Sequence, residues 1–413
     1  MQKKSNIYWP IIVGAYISLF ALGLSDNARG PLFSELLTQF HLSNAKGSLF
    51  FSISSAMGIV GSLLAQKWIQ KVGRLQSFRW SNILMGVGFL IISAATNFFQ
   101  VLVGAVFFGF CVGVLGVLQN VLVSSEAKGP WVQRLQSGLH SMYGMASLLA
   151  PLLVSWILQA TGKWQNAFFV CGSFSLLVGL GSFLSKGRPE PLEMDSKEML
   201  FPENQPGQNQ NLAEDKSDVL PKGFFVIAFA IAFSVVTEIL VSTRLSLYMQ
   251  NVHGWSVIES ARQVSLFFVC MLSGRLLFVF WHPKWNVAAL LNASIVLTVS
   301  TVILGLWVHP LFLVLSGLSI SPFYPLAMSL VATLFRQEMD RYLGIMVSIT
   351  SLSIVTMHTM SGLLTDSLGI QWALWVGPIM SCLSFLLFQA YPGWVGFSSW
   401  SDLLKGHGQT NEV

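Results

Sequence analysis

Residues 201–218 read FPENQPGQNQNLAEDKSD, a run of Asn, Gln, Pro and acidic side chains with few apolar residues among them. They lie in 186–221, the only long hydrophilic segment between apolar stretches, and have the composition of a flexible linker. On both sides the chain is apolar in blocks of ~20 residues, the length of a helix that crosses the hydrocarbon core of a bilayer. Six blocks precede the linker, near 7–30, 46–68, 77–97, 99–124, 134–160 and 164–185. Six follow it, near 222–249, 257–281, 285–307, 310–334, 342–365 and 370–391. The expected fold is all-α and integral to the membrane, with twelve transmembrane helices in two pseudo-symmetric six-helix bundles. The predicted organisation is an N-terminal bundle 1–185, a cytoplasmic linker 186–221, a C-terminal bundle 222–391 and a cytoplasmic tail 392–413.

Composition agrees. Of 413 residues, 53% are apolar and 10% charged, with a mean hydropathy of +0.64. Soluble proteins carry about 25% charged residues, so a water-soluble enzyme is excluded, as are disordered and disulfide-framework chains. Cys111, Cys171, Cys270 and Cys382 sit in apolar runs without CxxC spacing, so neither a redox site nor a metal site is expected. The net charge of +5 is not interleaved with aromatics as a nucleic-acid surface would be. It reports topology instead: 18 of the 23 Lys and Arg residues fall on one side if both termini are cytoplasmic, as the positive-inside rule requires. The first block ends in Asp26, Asn27 and Arg29 and lacks an A-x-A site. It therefore reads as a span and not as a cleaved signal, and no lipidation motif is present.

The halves carry a trace of duplication. Ser48-Leu-Phe-Phe51 recurs as Ser265-Leu-Phe-Phe268. Each copy follows a first span ending in an arginine (Arg29, Arg244) and a short loop with a histidine (His41, His253). Four letters carry little alone, but their matching position in each half argues for a repeat, the signature of transporters that rock two bundles about a central site.

Ionisable and polar side chains inside spans need a partner or a task. Glu238 sits mid-span in AFSVVTEILVSTRLSLY with no opposite charge on its own helix face. A desolvated carboxyl there suits proton uptake and release, or alternatively a link to a polar group of another span. Asp26 and Arg29, three residues apart, can pair, either anchoring the helix at the outer mouth or meeting a solute. Asn27 points elsewhere and suits ligand binding. Gln119 and Asn120 can bind hydroxyl groups or join helices. His140 and Tyr143 share a face beside Gly144, where a ligand or proton role and a simple hydrogen bond are equally open. His358 is a weaker instance of the same case. Arg275 reads as a topology or gating residue. The absence of HExxH, GxSxG, P-loop, paired-carboxylate and His/Cys motifs leaves no enzyme reading, no ATP-driven pump, no cofactor and no metal.

With these residues placed, the whole chain resembles the major facilitator superfamily. Gln70-Lys-Val-Gly-Arg74 is similar to its loop 2–3 motif, with Gln70 in place of the usual acid. The fucose/galactose/glucose:proton symporter family is resembled more closely. Its tenth-span signature is matched by Ser321-Pro-Phe-Tyr-Pro-Leu-Ala-Met-Ser-Leu330, and its seventh-span Glu and Tyr by Glu238 and Tyr248. Its eighth-span Gly-Arg is matched by Gly274-Arg275, and its fourth-span Asn by Asn120 after a glycine-rich run. Fucose permease has acids where this chain has Gly116 and, in a gapless reading, Gly30.

The resemblance implies a major facilitator fold in the cell (inner) membrane, with both termini cytoplasmic, acting as a monomer. Its partners would be the lipid bilayer, protons and a small-molecule solute, and no nucleic acid. The expected activity is proton-coupled symport of a sugar or similar small polar solute by alternating access. Efflux of a drug-like or amphipathic compound is the alternative, compatible with 31 Phe. Glu238, with Asp26 as the alternative, would carry the proton. Asn27, Arg29, Gln119, Asn120, His140, Tyr143 and Tyr324 would face the solute. Arg275, Pro322 and Pro325 would serve gating, the prolines by breaking the tenth helix.

Overall fold

The computed structural model describes residues 8–126, 130–184, 223–280, 285–335 and 339–403. The expected linker 186–221 and the end of the expected tail lie outside them. The described residues form helices α1 Trp9–Ala28, α2 Phe33–Gln39, α3 Asn44–Val72, α4 Arg74–Ser93, α5 Phe98–Glu126, α6 Pro130–Thr161 and α7 Gln165–Gly181. From residue 223 on come α8 Phe224–His253, α9 Val257–Phe280, α10 Val287–Trp307, α11 Leu311–Ile320, α12 Phe323–Leu334, α13 Met339–Leu368, α14 Ile370–Leu374 and α15 Val376–Trp394.

The chain is all-helical. Eleven helical segments among the described residues are long and apolar enough to span a membrane, whereas twelve were expected. The difference is α7: its 17 residues rise about 25 Å, short of the ~30 Å hydrocarbon core. Local signals set the boundaries. Ser43 caps α3 by accepting from the Lys46 N–H at 3.3 Å, and Asn286 caps α10 by accepting from the Ala289 N–H at 2.7 Å. Gly73, at φ 87°, makes the turn between α3 and α4 that a side chain would strain. In the expected tenth span α11 stops at Ile320 and α12 starts at Phe323, with Ser321 and Pro322 between them, whereas Pro325 lies inside α12 and does not interrupt it.

α3 packs on α5, α1 on α6 and α4 on α5 and α7, while α8 packs on α15 and α9 on α11. Across the halves, α13 meets α3 and α6 meets α9. One end of this junction is sealed by polar contacts. Both carboxylate oxygens of Asp366, near the end of α13, accept from the start of α3. Oδ1 takes the Asn44 N–H at 2.6 Å and its Nδ2 at 3.0 Å, and Oδ2 takes the Ala45 N–H at 2.8 Å. One turn or two further in, the Ser52 and Thr359 hydroxyls lie 2.9 Å apart. A carboxylate on a helix N-terminus is favourable both as acceptor and against the helix dipole. Asp366→Ala removes a cap worth about 0.5–2 kcal/mol from this closed arrangement. Spin labels at Thr38 and Leu368, both exposed, are expected to show a longer-distance population in the variant. An unchanged distance distribution would show that Asp366 is not a latch.

Candidate functional site

Below the sealed end, a cavity of about 480 Å³ lies between the halves. α1, α3, α5 and α6 line it on one side, and α8, α9 and α13 on the other. Its wall carries Asp26, Asn27, Arg29, Tyr143 and His358, hydroxyl groups from both halves (Ser54, Ser55, Ser242, Thr243), and the rings of Phe51, Phe108 and Phe268. Phe51 and Phe268 are the last residues of the two SLFF copies, so the duplication places one aromatic ring from each half against the same space. Gly30 and Gly116 also line it, and a methyl group at Gly116 would meet no neighbour within 4 Å.

Asp26 is the organising acid. One oxygen pairs with Arg29 Nη2, and the other accepts from the Tyr143 hydroxyl at 2.6 Å. Asn27 Nδ2 donates to Ser147 Oγ at 3.0 Å and back to the Gly23 carbonyl at 2.9 Å. These bonds lock α1 to α6 at the cavity wall. The Arg29 guanidinium lies 4.5 Å from the Phe108 ring centroid, a cation–π contact that offsets part of its desolvation.

The other sequence-derived residues divide. Gln119 is 1% exposed and does not line the cavity. Its side chain meets the Ser18 hydroxyl at 2.8 Å, and Ser18 in turn donates to Asn82. This chain of bonds ties α5, α1 and α4, the joining role and not the hydroxyl-binding one. Gln119→Leu breaks it, leaving buried groups short of a partner at about 1–3 kcal/mol. The expected result is a lower melting temperature with unchanged apparent solute affinity. A changed affinity at unaltered stability would return Gln119 to the site. The Asn120 side chain donates to the Gly116 carbonyl at 2.6 Å, and its backbone carbonyl accepts from Gln136 Nε2 at 2.9 Å. His140 is exposed. Neither lines the cavity.

Glu238 also lies outside the lining, one turn from Ser242, which is in it. Its own helix offers no partner, but α9 brings Arg275 to 4.0 Å. Tyr324 of α12 does not line the cavity, nor do Pro322 and Pro325. Glu238 and Arg275 form a second charged pair outside the lining. The hydroxyl residues of the lining went unassigned in the sequence, because Ser and Thr are too common in spans to stand out. Arg244, visible only as the counterpart of Arg29 in the repeat, lies beside the Phe51 ring and outside the lining.

Two helical halves around a cavity lined by polar side chains define a membrane transporter. A family model described as Major Facilitator Superfamily matches residues 15–311, and the chain belongs to that superfamily. It is therefore a transporter and not an enzyme. The chain is 23% identical over 345 residues to the glucose/mannose transporter GlcP of Bacillus subtilis, covering 81% of this chain and 83% of that protein. It is 22% identical over 205 residues to the probable galactarate/D-glucarate transporter GudP of Escherichia coli, covering 47% of this chain and 45% of that one. Among solved structures, an inward-facing, occupied bacterial homolog of the human lysosomal transporter Spinster superposes with a TM-score of 0.77 at 11% identity, covering 95% of this chain and 98% of that one. A D-xylose-proton symporter superposes with a TM-score of 0.72 at 14% identity, covering 94% and 98%.

Proposed function

We propose that this chain is a proton-coupled symporter of a sugar or similar small polar solute. It works by alternating access as a monomer in the cell (inner) membrane, with both termini cytoplasmic. The halves 1–185 and 222–391 rock about the cavity, and the linker 186–221 joins them on the cytoplasmic side. The observation that carries the reading is Asp26: it is the only carboxylate among the described lining residues, and it holds both Arg29 and the Tyr143 hydroxyl. Protonating it removes the charge that holds both groups, freeing them to turn toward a solute. Proton and solute occupancy are then linked through one side chain. Geometry favours Asp26 over Glu238 as the coupling acid, since Asp26 lines the cavity and Glu238, paired with Arg275, does not. Arg275 and the interruption at Ser321-Pro322, followed by Pro325 in the first turn of α12, then serve movement of the second half. The sugar names carried by relatives support the solute class.

The test is purified protein in liposomes with a pH dye, challenged singly with hexoses, pentoses, amino acids and lipophilic cations. Alkalinisation on the side of solute addition, driven by one polar solute, is expected. A response restricted to amphipathic cations would replace uptake with efflux.

A further inference from the structure

Two arginines from equivalent places in the two halves meet at one ring. Arg29 lies 5.3 Å and Arg244 5.1 Å from the Phe51 centroid. The His358 imidazole stacks on the same ring at 4.9 Å, with an interplanar angle of 19°. Arg29 has its counterion in Asp26. Arg244 has no ion-pair partner among the described residues, and it is 1% exposed. Its Nη2 donates to Ser48 Oγ at 2.8 Å, while its Nε and Nη1 reach no acceptor. Arg29 Nη1 and His358 Nδ1 are likewise buried without a partner.

A guanidinium carries five N–H donors in a planar fork. The Phe33 ring, 4.4 Å from Arg244, attracts the cation through its face but supplies no acceptor in the plane of the fork. A brace between α8 and α3 would account for the bond to Ser48 and leave the other donors unexplained. Buried cations with unfilled donors are costly until an anion completes them. The charge balance also specifies the anion: one protein carboxylate, Asp26, stands against two guanidinium groups, so a single further negative charge closes it.

We propose that the solute carried in this cavity bears one carboxylate, met in the lining by Arg29 and His358 and drawn there also by the charge of Arg244, which lies at the Phe51 ring outside the lining. The hydroxyl groups of Ser54, Ser55, Ser242 and Thr243 meet its polar remainder. The ligand class is a small monoanionic hydroxycarboxylate, such as a sugar acid, in place of the neutral sugar. The inference rests on the reading that this cavity carries a small polar solute.

The full-length protein is titrated with pairs that differ in the carboxylate: gluconate and glucose, galactonate and galactose, xylonate and xylose, glycerate and glycerol. Melting temperature reports binding, and exchange in proteoliposomes reports transport. At least one acid is expected to stabilise the protein at about tenfold lower concentration than its neutral partner, and to be exchanged. Arg244→Gln is expected to weaken that acid about tenfold or more, and Arg244→Lys less, because it keeps the charge and loses the fork. If Arg244→Gln fails to fold, His358→Gln and the wild-type comparison of acid with neutral partner still decide. A neutral sugar that binds and is transported while every acid is silent overturns the inference and leaves the transport reading standing. Silence from every compound overturns both. Stabilisation reproduced by chloride or sulfate alone reduces the cluster to an inorganic anion site and overturns the carboxylate claim.

Discussion

Asp26→Asn is expected to abolish proton-driven accumulation while sparing exchange of solute down its own gradient. Asparagine keeps the shape and a carbonyl oxygen for the Tyr143 hydroxyl, which now donates at 2.6 Å, but it cannot take up a proton. Each coupled proton moving across one pH unit supplies about 1.4 kcal/mol, a tenfold concentration ratio. In the variant that ratio falls to unity, although the carrier still cycles. Tyr143→Phe, which deletes the donor and keeps the acid, is expected to slow transport and keep accumulation. Radiolabelled uptake under an imposed pH gradient, beside counterflow without one, separates the two. Accumulation that survives in Asp26→Asn and disappears in Glu238→Gln would move coupling to the acid beside Arg275.

The second large effect is expected at Gly113. On the α3–α5 contact, a methyl group added at Gly113 would collide with the Gly58 carbonyl oxygen, and one at Gly109 with the Ser54 carbonyl. The atoms in the way are backbone, so relief requires the helices to part. Overpacking of this kind costs about 1–3 kcal/mol, and close helix approach through small residues is a main source of cohesion inside a bilayer. Gly113, Gly109 and Gly58 also line the cavity, so separation of the helices reshapes the site. Gly113→Val is expected to lower the melting temperature and abolish transport. Gly144→Ala, where an added methyl meets nothing within 4 Å, is expected to leave stability unchanged. Equal melting temperatures for wild type and Gly113→Val would show that α3 and α5 are free to separate.

The all-helical, membrane-spanning architecture was legible because span length is set by the bilayer, which acts on composition. The site was legible where charge is rare. Asp26, Asn27, Arg29 and Tyr143 stand out in an apolar chain, and the fold gathers them at one wall. Residues whose meaning depends on a partner in another helix were ambiguous. Gln119 reads as a binding side chain until Ser18 is seen beside it. Glu238 reads as unpaired until α9 brings Arg275 to 4.0 Å. His140 and His358 look alike in sequence, yet only His358 reaches the cavity, because it stacks on Phe51 across the two halves. Asp366, near a span end, gave no sign that it would cap a helix from the opposite half.

The central claim is that solute occupies the cavity between the halves. Ser55, in its wall, becomes the test in a variant carrying Ser55→Cys and lacking the four native cysteines. The rate of maleimide alkylation at this position is measured with and without the transported solute. Occupancy of the cavity predicts that solute slows alkylation at Cys-substituted Ser55 with a concentration dependence matching transport, and leaves a cysteine at the exposed Ser398 unaffected. Alkylation at the same rate with solute present, in protein that still transports it, would place the solute elsewhere.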